Sequence, residues 1–174
     1  MKKSFLIAIL STFLFSQNSL ATNIGIIDID KIFAESTALI DIQKKIDAKG
    51  LSYENEVSKK QKQLEAEQKR IEEKKDTLSQ EAFDKEAKNF EAKVEDLKTY
   101  IDRKQNSLKK ATIDAMGKVN DKLKDIVKDI AKEKQLDLVI LNSQTFYSKD
   151  EYDITAEALS ALNKKLTKVE VKFE

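Results

Sequence analysis

The spacing of apolar residues changes repeatedly along this chain, and each spacing predicts a different element. In the stretch Asn23 to Asp30, Ile24 and Ile26 fall on one face of an extended chain and Ile27 and Ile29 on the other. β-Branched side chains are stiff at χ1 and favour strands. Apolar residues on both faces describe a strand that is largely buried, not an exposed edge.

From about Lys31 to Leu78 the spacing becomes helical, through Phe33, Leu39, Ile42, Ile46, Tyr53, Val57, Leu64, Ile71 and Leu78. The last four lie a heptad apart, which is a coiled-coil repeat. The seam positions between them are Lys60, Glu67 and Lys74, so each heptad has one apolar seam residue. Each missing apolar contact forgoes about 1.5–3 kcal/mol of burial. A second helical stretch, about Gln80 to Gln135, has a denser seam: Phe83, Ala87, Phe90, Val94, Leu97 and Ile101 alternate spacings of four and three. Lys104 breaks it, Leu108 resumes it, and Met116, Val119, Leu123, Ile126 and Ile130 continue in a shifted phase. The pattern predicts a helical hairpin with a rigid root and a weakly held distal part. Its turn falls near residues 76–82, where Thr77 and Ser79 offer capping hydroxyls. Neither Gly nor Pro forces that turn, so one continuous helix is the alternative.

Leu136 to Leu141 reads as a strand, followed by the turn-forming Asn142-Ser143-Gln144 and a short strand at Thr145-Phe146-Tyr147. Asp153 or Thr155 can cap a helix from about Ala156 to Leu166, with Ala158, Leu159 and Leu162 on its apolar face. Lys168 to Glu174 alternates again, as an extra edge strand or a loose tail. The predicted fold class is therefore α+β. A small β-rich body (residues 22–32 and 136–174) carries a long antiparallel coiled-coil hairpin (residues 33–135).

Composition narrows the chemistry. The chain has no Cys, His or Trp, which excludes disulfides, thiolate nucleophiles, the common zinc sets and triads with a His base. No catalytic, metal or cofactor-binding residues are expected, and the protein does not read as an enzyme. Residues 1–21 resemble an export signal. Lys2 and Lys3 precede an apolar run of about eleven residues, well short of the roughly twenty that span a bilayer, and Ser19-Leu20-Ala21 presents small residues for cleavage. Removing Lys2 and Lys3 takes the formal net charge from +1 to −1. Such balance gives no footprint for nucleic acid. A β-rich body this small, without staples, calls for oligomerisation.

The order of strand, charged hairpin, strands and short helix after an export signal resembles the Skp (OmpH-like) family of periplasmic chaperones. The resemblance covers nearly the whole mature chain. It is carried by Ile24-Gly25-Ile26-Ile27-Asp28-Ile29-Asp30-Lys31-Ile32-Phe33, by Leu136 to Leu141, by Phe146-Tyr147, and by Asp153-Ile154-Thr155 with Leu162-Asn163. It implies a homotrimer in the periplasm of a Gram-negative bacterium. The trimer has a β-barrel body, and its helical arms enclose unfolded outer-membrane proteins without ATP. On that footing Ile24, Ile26, Ile27, Ile29, Leu138, Val139, Ile140, Phe146 and Tyr147 are the expected trimer body. Leu64, Ile71, Leu78, Phe83 and Phe90 are candidate client contacts on the arm; the plainer reading is that these five hold the hairpin together. Two departures stand out. The charge is balanced where members are often strongly basic, so a lipopolysaccharide or phospholipid site lacks its basic footprint, and Lys168 to Glu174 extends beyond the family's usual last helix. The rival class is a structural coiled-coil spacer or stalk, which explains the heptads but not the two β-rich flanks. The mature protein is expected to begin at Thr22 or Asn23 and to leave the cell on osmotic shock, as read by N-terminal sequencing. Uncleaved chain in the membrane fraction would contradict this.

Overall fold

Strand β1 (Ile24–Ile27) pairs in parallel with β2 (Leu138–Leu141), with Ile24 opposite Leu138 and Ile27 opposite Leu141. The computed structural model describes residues 22–174, and the export signal read in residues 1–21 lies outside them. Parallel strands need a long crossover. Here the crossover is the bulk of the protein: α1 (Ile29–Glu35), α2 (Thr37–Glu73) and α3 (Gln80–Glu133). After β2 come two 3₁₀ turns, Asn142–Gln144 and Asp150–Tyr152, and then α4 (Thr155–Lys165).

The strand expected to reach Asp30 ends at Ile27. Asp28 Oδ1 accepts a hydrogen bond from Lys31 N at 2.9 Å, and this N-cap starts α1 at Ile29. The helix expected to run on from Lys31 breaks at Ser36, whose backbone is extended (φ −69°, ψ 124°) and whose side chain is buried. The partner for the new helix start comes from α4: Asn163 Oδ1 accepts from Thr37 N at 2.9 Å and from Thr37 Oγ1 at 3.1 Å. The short α1 turns Ile32 inward and leaves Phe33, counted on the apolar face, exposed.

Helices α2 and α3, of 37 and 54 residues, reach about 55 and 80 Å at 1.5 Å per residue. They run antiparallel, linked across the gap by Lys93–Glu67 at 2.5 Å and Lys74–Glu86 at 3.8 Å. The chain reverses over residues 74–79, so the continuous helix is excluded. Ser79 Oγ accepts from Ala82 N at 3.3 Å and caps α3.

Two seam residues are corrected. Val94 and Met116 are exposed. At the root, the buried line of α3 runs through Ser107, Ala111, Ala115, Val119, Leu123, Ile126 and Ile130. A third element covers this line at the root. Residues 168–174 are neither an edge strand nor a loose tail. They lie extended against the hairpin root, with Val169 buried and Glu174 N donating to Ser107 Oγ at 3.0 Å. The short strand expected at Thr145 to Tyr147 is also absent. Thr145 N folds back to Asn142 O at 3.0 Å, and the segment has no ladder partner in the protomer. The described residues thus hold two paired strands, with β1 bridged on its other side by Asp153 and by Ile154 N to Ile26 O at 2.9 Å.

The core sits where both ends of the chain meet the hairpin. Ile27, Ile32, Leu39, Ile42, Val119, Leu123, Ile126, Ile154, Leu162 and Val169 form one buried cluster. Gly25 lies inside this crowding: a Cβ there would come within 2.8 Å of Leu136 Cδ1 and 3.4 Å of Val139 Cγ2. Gly25→Ala should therefore cost about 1–3 kcal/mol by overpacking, and Ile126→Ala or Leu162→Ala about 2–5 kcal/mol. Val94→Ala should stay within about 0.5 kcal/mol. Urea unfolding checks all four, and equal losses at Val94 and Ile126 would contradict this placement of the core.

Candidate functional site

Among the described residues, no group of three or more acidic side chains converges as a metal site, and no helix is long and apolar enough to cross a membrane. The features with chemical potential are surfaces, and three stand out.

The first is the free edge of β2. Among the described residues this strand pairs only with β1, so its outer N–H and C=O groups have no ladder there. Leu138 is 50% exposed on it, and Leu141 is exposed beside it. The following segment carries Phe146 and Tyr147 at 109% and 80% exposure. An open edge with apolar side chains is a template for pairing with another chain. Of the residues assigned to the body, Ile26 and Ile27 are buried within the protomer, while Ile24, Ile29, Val139 and Ile140 are half-buried, with Ile29 and Val139 packed on the core. Leu138, Phe146 and Tyr147 face solvent. The body residues thus separate into an inner set that folds the protomer and an outer set left uncovered.

The second surface is the distal arm. Ile71 is buried, and Leu64, Leu78, Phe83 and Phe90 are half-buried between the helices. The packing around them is loose. A trough of about 770 Å³ opens between α2 and α3, lined by Leu64, Arg70, Leu97 and Tyr100 among others. A second trough of about 430 Å³ is lined by Ile71, Lys74 and Glu86 nearer the tip. The seam pattern passes over a further set of exposed apolar residues: Ile40 and Leu51 on α2, and Ile113 on α3. Their signal was present in the sequence, as apolar residues at off-seam positions.

The third feature is a polar layer at mid-arm. Tyr53 is buried between Lys49 and Lys104, whose ammonium groups sit 4.6 and 4.7 Å from its ring centre. Tyr100 lies between Lys60 and Lys104 at 4.9 and 5.3 Å. Lys104, a break in the apolar seam, therefore joins the two tyrosines. Such contacts contribute about 0.5–1 kcal/mol each at exposed sites. The Tyr100 hydroxyl donates to Glu56 Oε2. This bond lowers the Glu56 carboxyl below its ordinary range and raises the Tyr100 hydroxyl above the usual phenol value.

The sequence matches the family described as Outer membrane protein (OmpH-like) over residues 23–162. An uncharacterised protein of Aquifex aeolicus (strain VF5) is 31% identical over 148 residues, covering 84% of this chain and 89% of that protein. The fold matches a crystal structure from Caulobacter crescentus CB15 of a candidate outer membrane chaperone (OmpH-like). The TM-score is 0.82 at 16% identity, over 88% of this chain and 91% of the other.

The mid-arm bond has a defined pH window. Its contribution through Glu56 is present above the ordinary carboxylate range and fades as pH falls through the lowered value. Its contribution through Tyr100 is present below the usual phenol range and fades as pH rises through the raised one. Phenolate absorbance should show one tyrosine titrating late. Tyr100→Phe should remove that transition, and Glu56→Gln should move it back toward the usual phenol value. Unchanged titration in Glu56→Gln would show that the carboxylate does not hold the phenol.

Proposed function

The chain belongs to the OmpH-like outer membrane protein family, and from that premise we propose that it is an ATP-independent periplasmic holdase for unfolded outer-membrane proteins. Three copies assemble through their β-rich bases into a barrel-like body. The three helical arms bound a cavity in which the client is kept soluble, with no cofactor and no catalysis. The observation that carries this reading is the uncovered apolar edge formed by Leu138, Leu141, Phe146 and Tyr147. It lies at the opposite end of the protomer from the solvated tip, so assembly there leaves the arms free.

The arms suit the task physically. A holdase must cover apolar strand-forming segments and still let them go, which favours many weak contacts over a few strong ones. Exposed apolar residues spread along both helices supply such contacts. The half-buried distal set, Leu64, Leu78, Phe83 and Phe90 with buried Ile71, joins them when the helices separate. Low-contact regions open first, and troughs lie between the distal helices. The charges between apolar positions keep the arms in water when no client is bound.

Two measurements test this. Without nucleotide, the full chain should suppress aggregation of a denatured outer-membrane barrel on dilution. Replacing residues 64–97 by a short turn should leave a folded trimer that has lost this activity. Leu64 and Leu97 line the same trough, so the cut shortens both helices evenly. Separately, Phe146→Asp together with Leu138→Asp should dissociate the trimer while the helical signal persists, because neither side chain enters the protomer core. Full aggregation suppression by the shortened form would place client binding in the body. An intact trimer in the double variant would place the interface elsewhere.

A further inference from the structure

The groove at the root of α2 and α3 already holds one extended peptide, residues 168–174 of the chain itself. Alternation sets its pose. Val169 is buried, Val171 packs against the apolar cluster, and the half-buried Phe173 ring lies 6.0 Å from Lys49 Nζ. Lys168, Glu170, Lys172 and Glu174 between them are exposed. The segment joins no sheet. Its main chain is held by side chains of the groove: Lys45 Nζ donates to Val169 O at 3.1 Å, Lys118 Nζ donates to Glu170 O at 3.2 Å, and Ser107 Oγ accepts from Glu174 N at 3.0 Å. Lys110 pairs with the Glu174 carboxylate at 2.7 Å, which raises the lysine above its usual value.

This way of holding a peptide is indifferent to most of its sequence. Three of the polar contacts are made to main-chain atoms, which every peptide presents. The apolar contacts ask only for apolar side chains at alternate positions, the period of a β-strand. The groove also extends past the segment. Next to Lys49 and Ser107, a cleft of about 420 Å³ continues up the arm, lined by Gly50, Tyr53, Val57, Ile101 and Leu108.

We propose that this groove is a binding site for extended polypeptide segments with apolar residues at alternate positions, and that residues 168–174 are a strap which such a segment displaces. The proposal rests on the holdase reading, because strands of an unfolded membrane barrel carry that alternation. The strap is built to be exchanged. Its ion pair is exposed and therefore weak, and the segment is fully buried only at Val169. A client binds only the fraction of molecules whose strap is released, so the strap lowers apparent affinity until it leaves.

A labelled peptide with the sequence of residues 166–174, Leu-Thr-Lys-Val-Glu-Val-Lys-Phe-Glu, tests the groove by fluorescence anisotropy. It should bind a form lacking residues 168–174 about tenfold tighter than the full chain, the factor expected for a strap docked nine-tenths of the time. A peptide of the same composition with the two valines and the phenylalanine adjacent should bind neither form. No binding to the shortened form, or equal binding to both, overturns the proposal. Because Val169 belongs to the core, a second variant keeps the chain complete: S107C with E174C, in a protein with no other cysteine. Oxidation should pin the strap and weaken peptide capture several-fold, and reduction should restore it. Capture unchanged by the redox state overturns the proposal. Loss of aggregation suppression by the unmodified chain would remove the holdase reading itself. Suppression that ignores both strap removal and the disulfide would remove only the strap.

Discussion

Burial of one apolar cluster at the base of the hairpin is the interaction on which the rest of the chain depends. Ile27 from β1, Ile32 from α1, Leu39 and Ile42 from α2, the line from Val119 to Ile130 on α3, Ile154 and Leu162 around α4, and Val169 beyond it all enter this cluster. Pairing β1 with β2 closes a loop that contains the entire hairpin. Closing a long loop costs conformational entropy, and four pairs of residues in a two-stranded ladder return little against it. The side chains packed beneath the ladder, at about 25 cal/mol per Å² of apolar surface removed from water, supply what the strands alone do not. The hydrogen bonds of Asn163 to Thr37 and of Asp28 N to Thr155 Oγ1 at 2.8 Å then fix how α1, α2, α4 and β1 meet.

Stability falls with distance from that cluster. Beyond Tyr53, each helix of the hairpin touches only the other, and the contacts become mixed: half-buried apolar side chains, ion pairs such as Lys93–Glu67, and the Tyr–Lys layer around Lys104. The consequence is a division of labour within one protomer. The root is dense enough to be rigid. The arm is solvated, long and loosely packed, which is what transient coverage of an apolar chain requires. The base leaves Leu138, Phe146 and Tyr147 uncovered, and this is the surface through which we propose that copies assemble.

The hairpin was legible in the sequence because helical periodicity is a local signal. The seam residues from Leu123 to Ile130, the turn near Ser79 and the last helix all announce themselves within a few residues, whereas the N-cap position of that helix falls on Ile154, not on Asp153 or Thr155. The features that were not legible depend on partners far away in the chain. Ser36 breaks a helix with no Gly or Pro, because Asn163 accepts the hydrogen bonds of Thr37. Ala111 and Ala115 carry too little hydrophobic signal to be read as seam, yet they are buried where residues 168–174 approach α3. Thr145 to Tyr147 has the composition of a strand, but the protomer offers it no ladder partner. Ile26 and Ile27, on opposite faces of β1, are both buried as the apolar pattern predicts, whereas Ile29 belongs to α1. Which of the body residues would fold the protomer and which would stay exposed was set by the parallel register with β2, and nothing local encodes that register.

We propose that the β-rich base assembles three copies while the arms project from it. Static light scattering gives the mass of the particle in solution, and small-angle X-ray scattering gives its shape. The expected result is the mass of three protomers and a scattering profile with a compact end and separated arms bounding a solvent-filled cavity. A single-protomer mass, or a two-chain particle with the profile of a straight rod, would contradict it.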